Sequence, residues 1–362
     1  MVIGTLIFII RYSNLNIESD AIFSRDFPTW RGAAIFTLYI WVLGFNLFCF
    51  EKYKISHRLI FKFNDHHFSN STYLFRLAGL FTMLFMVTFL IYLLQIAKII
   101  NRIESFRPEY IVSIMWVSLF TYMFMPLPIF NHEGRLYAAK LMIKSIISPI
   151  VGVEFGIVWM TDQWLSLITP FRDLRYTICY YTELKFDVPS INPCKNNNSF
   201  EIVVLITTIA ISFRILQCIR LGISQGKYFT APHFTNSIKY SLSLTSAIMS
   251  FQYNLDSSSQ AFFVMWILVS CISTCVSYYW DLKHDWDLLY FDEKNFLLRK
   301  YLTFQPKALY YIVMCTNFLM RLSWMVTLSP NIATLFGNAN LLTFATGSIE
   351  IIRRGVWNLF RV

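Results

Sequence analysis

The sequence predicts an all-α, polytopic transmembrane helix bundle of about nine or ten spans, and three observations carry that prediction. Only 14% of the 362 residues are charged, against about 25% in a soluble domain. Hydrophobic residues make up 56% of the chain and aromatic residues 18%. The apolar residues gather in runs of roughly 17–25 between polar breaks, the length that crosses a bilayer as a helix. The same composition excludes soluble multidomain, disordered, collagenous and disulfide-scaffold chains.

In chain order the runs are 33–50, 74–97, 110–130, 155–181, 200–220, 237–254, 260–281, 308–329 and 333–352. Met1–Ile10 is a shorter apolar run that reads as a truncated tenth span or the core of an uncleaved signal, because Arg11-Tyr12-Ser13-Asn14 offers no small-residue cleavage site. The segment 135–154 carries Arg135, Lys140 and Lys144 among Leu, Met and Ile, as an interfacial amphipathic helix does. The chain thus divides into N-terminal transmembrane segments with this interfacial helix (1–154) and a transmembrane core (155–362). The breaks 51–73, 182–199 and 282–307 are too short to hold a soluble domain. No internal repeat stands out, so an inverted-repeat transporter is unsupported.

The net charge of +10 reflects insertion energetics rather than nucleic-acid affinity, because Lys and Arg accumulate in cytoplasmic loops. With the C-terminus cytosolic, the loops on that side hold more than twice the Lys and Arg of the opposite set. The loop 182–199 then faces the lumen and presents Asn197, in Asn197-Asn198-Ser199, as a glycosylation candidate. Asn70-Ser71-Thr72 falls on the cytosolic side.

Of seven cysteines, Cys194 alone lies in a polar loop; the others sit in apolar runs as small hydrophobes, and no disulfide framework is expected. Cys271 and Cys275 share a helix face without His or acidic neighbours, so no metal site is expected, nor any cofactor. His66, His67 and His284 read as loop residues. Nucleophile elbow, P-loop, GxGxxG and HExxH are all missing from the sequence, which argues against an enzyme.

The informative residues are ionisable ones inside apolar runs, each costing about 2.5–3.5 kcal/mol to insert. Asp162 lies within Trp159-Met160-Thr161-Asp162-Gln163, and Arg172, Asp173 and Arg175 follow it. Arg214 interrupts the next run, and Lys239 and Tyr240 open the one after. Asp281 and Asp285 lie four apart. Arg321 shares a face with Trp324, and Glu350, Arg353 and Arg354 occupy the last helix. Bland readings compete: snorkelling for Arg353 and Arg354, a solvated helix end for Asp281 and Asp285, lipid or core packing for Trp324, and a structural ion pair for Asp162 and Arg214. The sharper reading is a pathway for a tetrahedral oxyanion, phosphate or sulfate, which several guanidinium forks can clamp.

At these residues the chain resembles the EXS-domain family of eukaryotic phosphate exporters. The matching stretches run in order. They are Trp159-Met160-Thr161-Asp162-Gln163 with Ile178-Cys179-Tyr180-Tyr181, then Phe213-Arg214-Ile215-Leu216-Gln217-Cys218-Ile219-Arg220. Pro232-His233-Phe234-Thr235-Asn236 with Lys239-Tyr240 comes next, then Trp280-Asp281-Leu282-Lys283-His284-Asp285-Trp286 and Arg321-Leu322-Ser323-Trp324. The last is Glu350-Ile351-Ile352-Arg353-Arg354-Gly355-Val356-Trp357-Asn358-Leu359-Phe360-Arg361. The resemblance makes 155–362 an EXS-type core and implies a helical bundle of about ten helices.

It further implies an inorganic-phosphate pathway lined by Asp162, Lys239, Tyr240, Asp281, Asp285, Arg321, Trp324, Glu350, Arg353 and Arg354, to which Arg214, deep in its apolar run, is added as a candidate. Within it Arg321 and Arg354 are the expected direct ligands, Trp324 shapes the wall, and Glu350 holds Arg354 when the site is empty. Asp281 and Asp285 orient Lys239 or the last-helix arginines. Leu165 stands where the pattern leads one to expect Asn. The chain carries no SPX stretch, so gating by inositol pyrophosphates is not expected within it. A short member of this kind is similar to the fungal Golgi proteins of the family that take part in ER retention. That likeness implies return of lumenal phosphate from glycosylation to the cytosol, supporting retention of Golgi glycosyltransferases and ER residents. The alternative is a non-transporting sorting factor whose loops bind glycosyltransferase tails or a coat adaptor. A homodimer is left open, and the bilayer is the surrounding partner.

Overall fold

The structure, a computed structural model, describes residues 17–62, 70–96, 108–183, 194, 198–226, 230, 232–291, 295–328 and 339–362. Met1–Ile10 and Asn197 lie outside them. Every regular element among the described residues is helical.

The bundle is organised around α1 (Ile17–Lys52), whose 36 residues extend about 54 Å at 1.5 Å each, well beyond a hydrocarbon core. Its apolar residues bury on several sides at once: Trp30, Ala33 and Ile35 are at most 1% exposed. On one side lie α2 (Ser71–Ile96) and α3 (Pro108–Phe124). There Trp30 meets Phe85, Phe89 and Tyr92 edge-on or tilted at 5.0–5.4 Å, geometries that suit the ring quadrupoles. Trp116 Nε1 donates to Thr29 O at 3.1 Å. At the far end of α1, Glu51 accepts from the Ser71 backbone N–H and Oγ at 3.0 and 2.5 Å, satisfying an orphan donor at the start of α2.

The 135–154 segment forms α4 (His132–Val151), which meets α5 (Phe155–Ser166) at a bend of 113°. Gly152 makes that corner with φ +134°, where a side chain would be strained. Arg135, the residue that suggested an amphipathic surface, is buried. Its guanidinium donates to the carbonyls of Tyr122, Met125, Leu127, Ile129 and Phe130 at 2.7–3.1 Å. One side chain thereby satisfies the turn between α3 and α4, whose Phe124, Leu127, Ile129 and Phe130 side chains are exposed.

After one residue, Leu167, the chain continues as α6 (Ile168–Glu183), then α7 (Asn198–Ser224) and α8 (His233–Leu255). Next comes α9 (Gln260–Trp280), which ends in a π-turn at Asp281–Asp285. Last come α10 (Ala308–Arg321), a 3₁₀ turn (Leu322–Leu328) and α11 (Ala339–Arg361), which packs along α1. Gly355 permits that approach, since a Cβ there would run into Val42 Cγ1.

Five helices among the described residues are long and apolar enough to cross a membrane, six if the bent α4–α5 pair counts as one broken span. That supports a polytopic membrane protein but does not reach nine or ten. The expected spans that fall short do so for identifiable reasons. The apolar part of α3 stops at Phe124, and the 155–181 run is interrupted at Leu167. Buried Asp173 on α6, Lys239 on α8, and Arg353 and Arg354 on α11 lower the hydropathy of helices whose polar faces turn inward.

One expectation is overturned. Cys179 and Cys194 form a disulfide with Cα atoms 5.9 Å apart. Cys179 ends an apolar run, and its partner sits in the following loop, so the sequence pattern read it as a core residue. Such a bond forms in an oxidising compartment.

Candidate functional site

Two groups of ionisable side chains are buried in the bundle. The first lies where the start of α1 meets α6. Arg31 donates through Nε and Nη2 to both oxygens of Asp173, at 2.8 and 2.5 Å, and through Nη1 to Asn340 Oδ1. Asp26 accepts from Arg25 Nε and Tyr92 Oη, each at 2.9 Å. Each carboxylate there has its own arginine.

The second group gathers the residues singled out from sequence. On α5 and α7, Asp162 Oδ1 lies 2.7 Å from Arg214 Nε and accepts from Tyr240 Oη at 2.9 Å. Arg214 also donates to Gln217 Oε1 at 2.6 Å. Gln217 in turn donates to Ser148 Oγ and Thr161 Oγ1, so Arg214 is locked into a chain of partners. The geometry favours the structural ion pair for Asp162 and Arg214.

Lys239 follows a different rule. It is 7% exposed, yet among the described residues no carboxylate lies within 4 Å. Its Nζ rests over the rings of Tyr240 and Trp280, 4.2 and 5.0 Å from their centroids. Aromatic faces attract a cation without neutralising it.

On the π-turn, Asp281 Oδ2 accepts from Arg321 Nε and Nη2 at 2.9 and 2.5 Å and from Asn317 Nδ2 at 3.0 Å. Asp285 accepts from Trp357 Nε1 at 3.1 Å and faces Arg361 Nη1 at 3.4 Å. The two aspartates therefore hold Arg321 and Arg361, not Lys239.

On α11, Glu350 clamps Arg353 with two bonds of 2.7 Å, whereas Arg354 Nη2 stays 4.0 Å from it. Glu350 thus meets both arginines: Arg353, three residues on, reaches both oxygens, while Arg354 keeps a looser ion pair of 4.0 Å and points toward α5. There Arg354 Nε donates to Ser166 Oγ at 2.8 Å, and Ser166 donates to Glu350 Oε1 at 2.6 Å. Arg353 Nη1 is buried without a hydrogen-bond partner, 3.8 Å from Asp281 Oδ2. Trp324 Nε1 donates to Thr274 Oγ1 at 3.1 Å, placing its ring against α9.

Ser166 and Asn317 were missed in the sequence, and Asn358, inside the last family stretch, was not singled out as a site residue. Asn358 accepts from Trp159 Nε1 and Gln163 Nε2 and donates to Asn46, which donates to Gly355 O; the set ties α11 to α5 and α1. A signal existed for two of them, since Ser166 lies four residues after Asp162 and Asn317 four before Arg321. Leu165, the departure from the family pattern, packs on Ile211, Cys218 and Tyr240.

Fold and site together define a helical membrane protein with a buried centre rich in cationic side chains. The family model for the EXS family matches residues 27–362, and the chain belongs to that family. It is 28% identical over 348 residues to the Xenopus laevis xenotropic and polytropic retrovirus receptor 1 homolog, covering 92% of this chain and 49% of that protein. It is 27% identical over 366 residues to human solute carrier family 53 member 1, covering 96% and 51%. The zebrafish receptor homolog is 27% identical over 350 residues, covering 92% and 49%. The chain spans about half the length of these relatives. Their names are those of a solute carrier and a receptor, not of enzymes.

Proposed function

We propose that the chain carries inorganic phosphate through its bundle, in the Golgi membrane, from the lumen to the cytosol. The observation that carries this reading is the set of buried cationic groups left without full compensation. Among the described residues, Lys239 has aromatic faces but no carboxylate within 4 Å, Arg353 Nη1 has no hydrogen-bond partner, and Arg354 lies 4.0 Å from a carboxylate already held by Arg353. Unpaired charge in a low-dielectric interior is expensive, and a divalent oxyanion would neutralise it with bidentate bonds. Residues 155–362 supply these donors, and 1–154 brace them through Asn46.

The disulfide at the end of α6 supports a lumenal placement for that end, and the positive-inside count supports a cytosolic C-terminus. In that orientation the protein returns phosphate released by lumenal glycosylation, and through it sustains retention of glycosyltransferases and ER residents. The test is uptake of radiolabelled phosphate into proteoliposomes holding only this chain. Saturable flux lost in Lys239→Met supports the reading, and flux no greater than in protein-free vesicles overturns it. A tag after Val362 that proved protected in sealed Golgi vesicles would reverse the direction.

A further inference from the structure

On the face of α5 turned away from the charges, a cavity of about 420 Å³ lies between α1, α2, α3, α4 and α6. That falls within the roughly 300–1,000 Å³ range of small-molecule sites. Its walls are almost wholly apolar, with flat rings from Phe36, Trp116, Phe120, Trp159, Trp164 and Phe171. Phe120 and Phe124, which border it, are 43% and 62% exposed, so the cavity is continuous with the bundle's outer apolar surface.

The polar groups on its walls are mostly spent. Asn46 bonds Gly355 O, Tyr137 Oη bonds Phe61 O, Tyr73 and Tyr122 bond each other, and Arg135 has its five carbonyls. Trp164 differs: its Nε1 is buried and has no hydrogen-bond partner. A buried N–H of this kind calls for an acceptor.

We propose that this cavity binds a membrane sterol, its rings against the aromatic walls and its hydroxyl accepting from Trp164 Nε1. A phospholipid fits less well. Its charged headgroup finds no unspent cation in the cavity, and a hydrocarbon tail leaves the indole N–H unsatisfied. A rigid fused-ring ligand also loses less conformational entropy on binding than a flexible acyl chain. The site backs directly onto the charge cluster. Trp159 and Trp164 face the cavity from the helix that presents Asp162 and Gln163 inward, and Trp159 is bonded to Asn358 on α11. Sterol would thus press on the helix that carries Ser166 and Asp162.

The test reads binding without phosphate, so it stands or falls apart from the transport reading. The purified full chain is placed in phosphatidylcholine vesicles with a photoactivatable sterol, and the labelled peptides are mapped. Labelling is expected on α3 and α5, displaced by unlabelled sterol. Ala138→Phe and Leu119→Trp, two independent cavity-filling changes on lining residues, should each cut it about tenfold in protein that elutes as wild type. Trp164→Phe should weaken apparent affinity about fivefold, the worth of one neutral hydrogen bond. The proposal is overturned if label spreads evenly over the exposed helices and neither filled variant reduces it. It is equally overturned if photoactivatable phosphatidylcholine labels the same peptides and sterol fails to displace it.

Discussion

Where α1 begins, Arg31 closes both oxygens of Asp173, and Arg25 and Tyr92 share Asp26. Deeper in the bundle, Lys239 has ring faces in place of a counter-ion, and Arg354 must make do with a serine and a carboxylate engaged elsewhere. Both regions pair arginines with carboxylates inside the bundle, and the second adds Lys239. What separates them is compensation. In the first region each carboxylate is bonded to an arginine, whereas in the second, among the described residues, Lys239 has no carboxylate within 4 Å and Arg353 Nη1 has no hydrogen-bond partner, which on the proposed reading an anion would supply.

The comparison breaks if the two regions respond alike to substitution. The largest effect belongs to the completed pair. Asp173→Asn or Arg31→Met strands a buried charge and should cost about 3–5 kcal/mol, read as a fall in melting temperature and in folded yield. Lys239→Met breaks no ion pair shorter than 4 Å among the described residues. It should leave the melting temperature of phosphate-free protein unchanged or raised, while cutting phosphate flux at least about a hundredfold, about 2.7 kcal/mol in the barrier.

Arg321→Lys and Arg354→Lys keep the charge but lose the fork, and should each lower flux about tenfold, near 1.4 kcal/mol. The smallest effect is expected for Ser166→Ala, which removes one hydrogen bond to Arg354 and one to Glu350. It should reduce flux about fivefold with little change in melting temperature. Lysine variants that match wild type in flux would show that geometry at the second region does not matter, and would erase the distinction.

The charged residues of the candidate site were legible because each interrupts an apolar run, where its cost demands a reason. Their pairings were not. Arg31 and Asp173 are 142 positions apart, Trp159 and Asn358 are 199 apart, and nothing local announces either bond. The sequence placed Glu350 opposite Arg354 on helical spacing, and that ion pair forms at 4.0 Å, but i+3 is equally within reach, so Arg353 takes the closer bonds while Ser166 bonds Arg354. The helix class followed from composition, yet the number of spans did not. A window average cannot tell a helix lined with inward polar groups from one that stops short. Cys179 was misread for a related reason: an apolar run describes where a residue begins, not what reaches it from the next loop.

The five carbonyls gathered by Arg135 have a consequence for the biology of variants. Backbone acceptors left without a partner away from water cost free energy, and here a whole turn depends on one guanidinium. A change of that single codon, even to lysine, would leave most of the turn's acceptors unserved. The phenotype would be set by cellular surveillance rather than by altered permeation: the chain would be made, inserted, held back by quality control and degraded, its missing activity a matter of abundance.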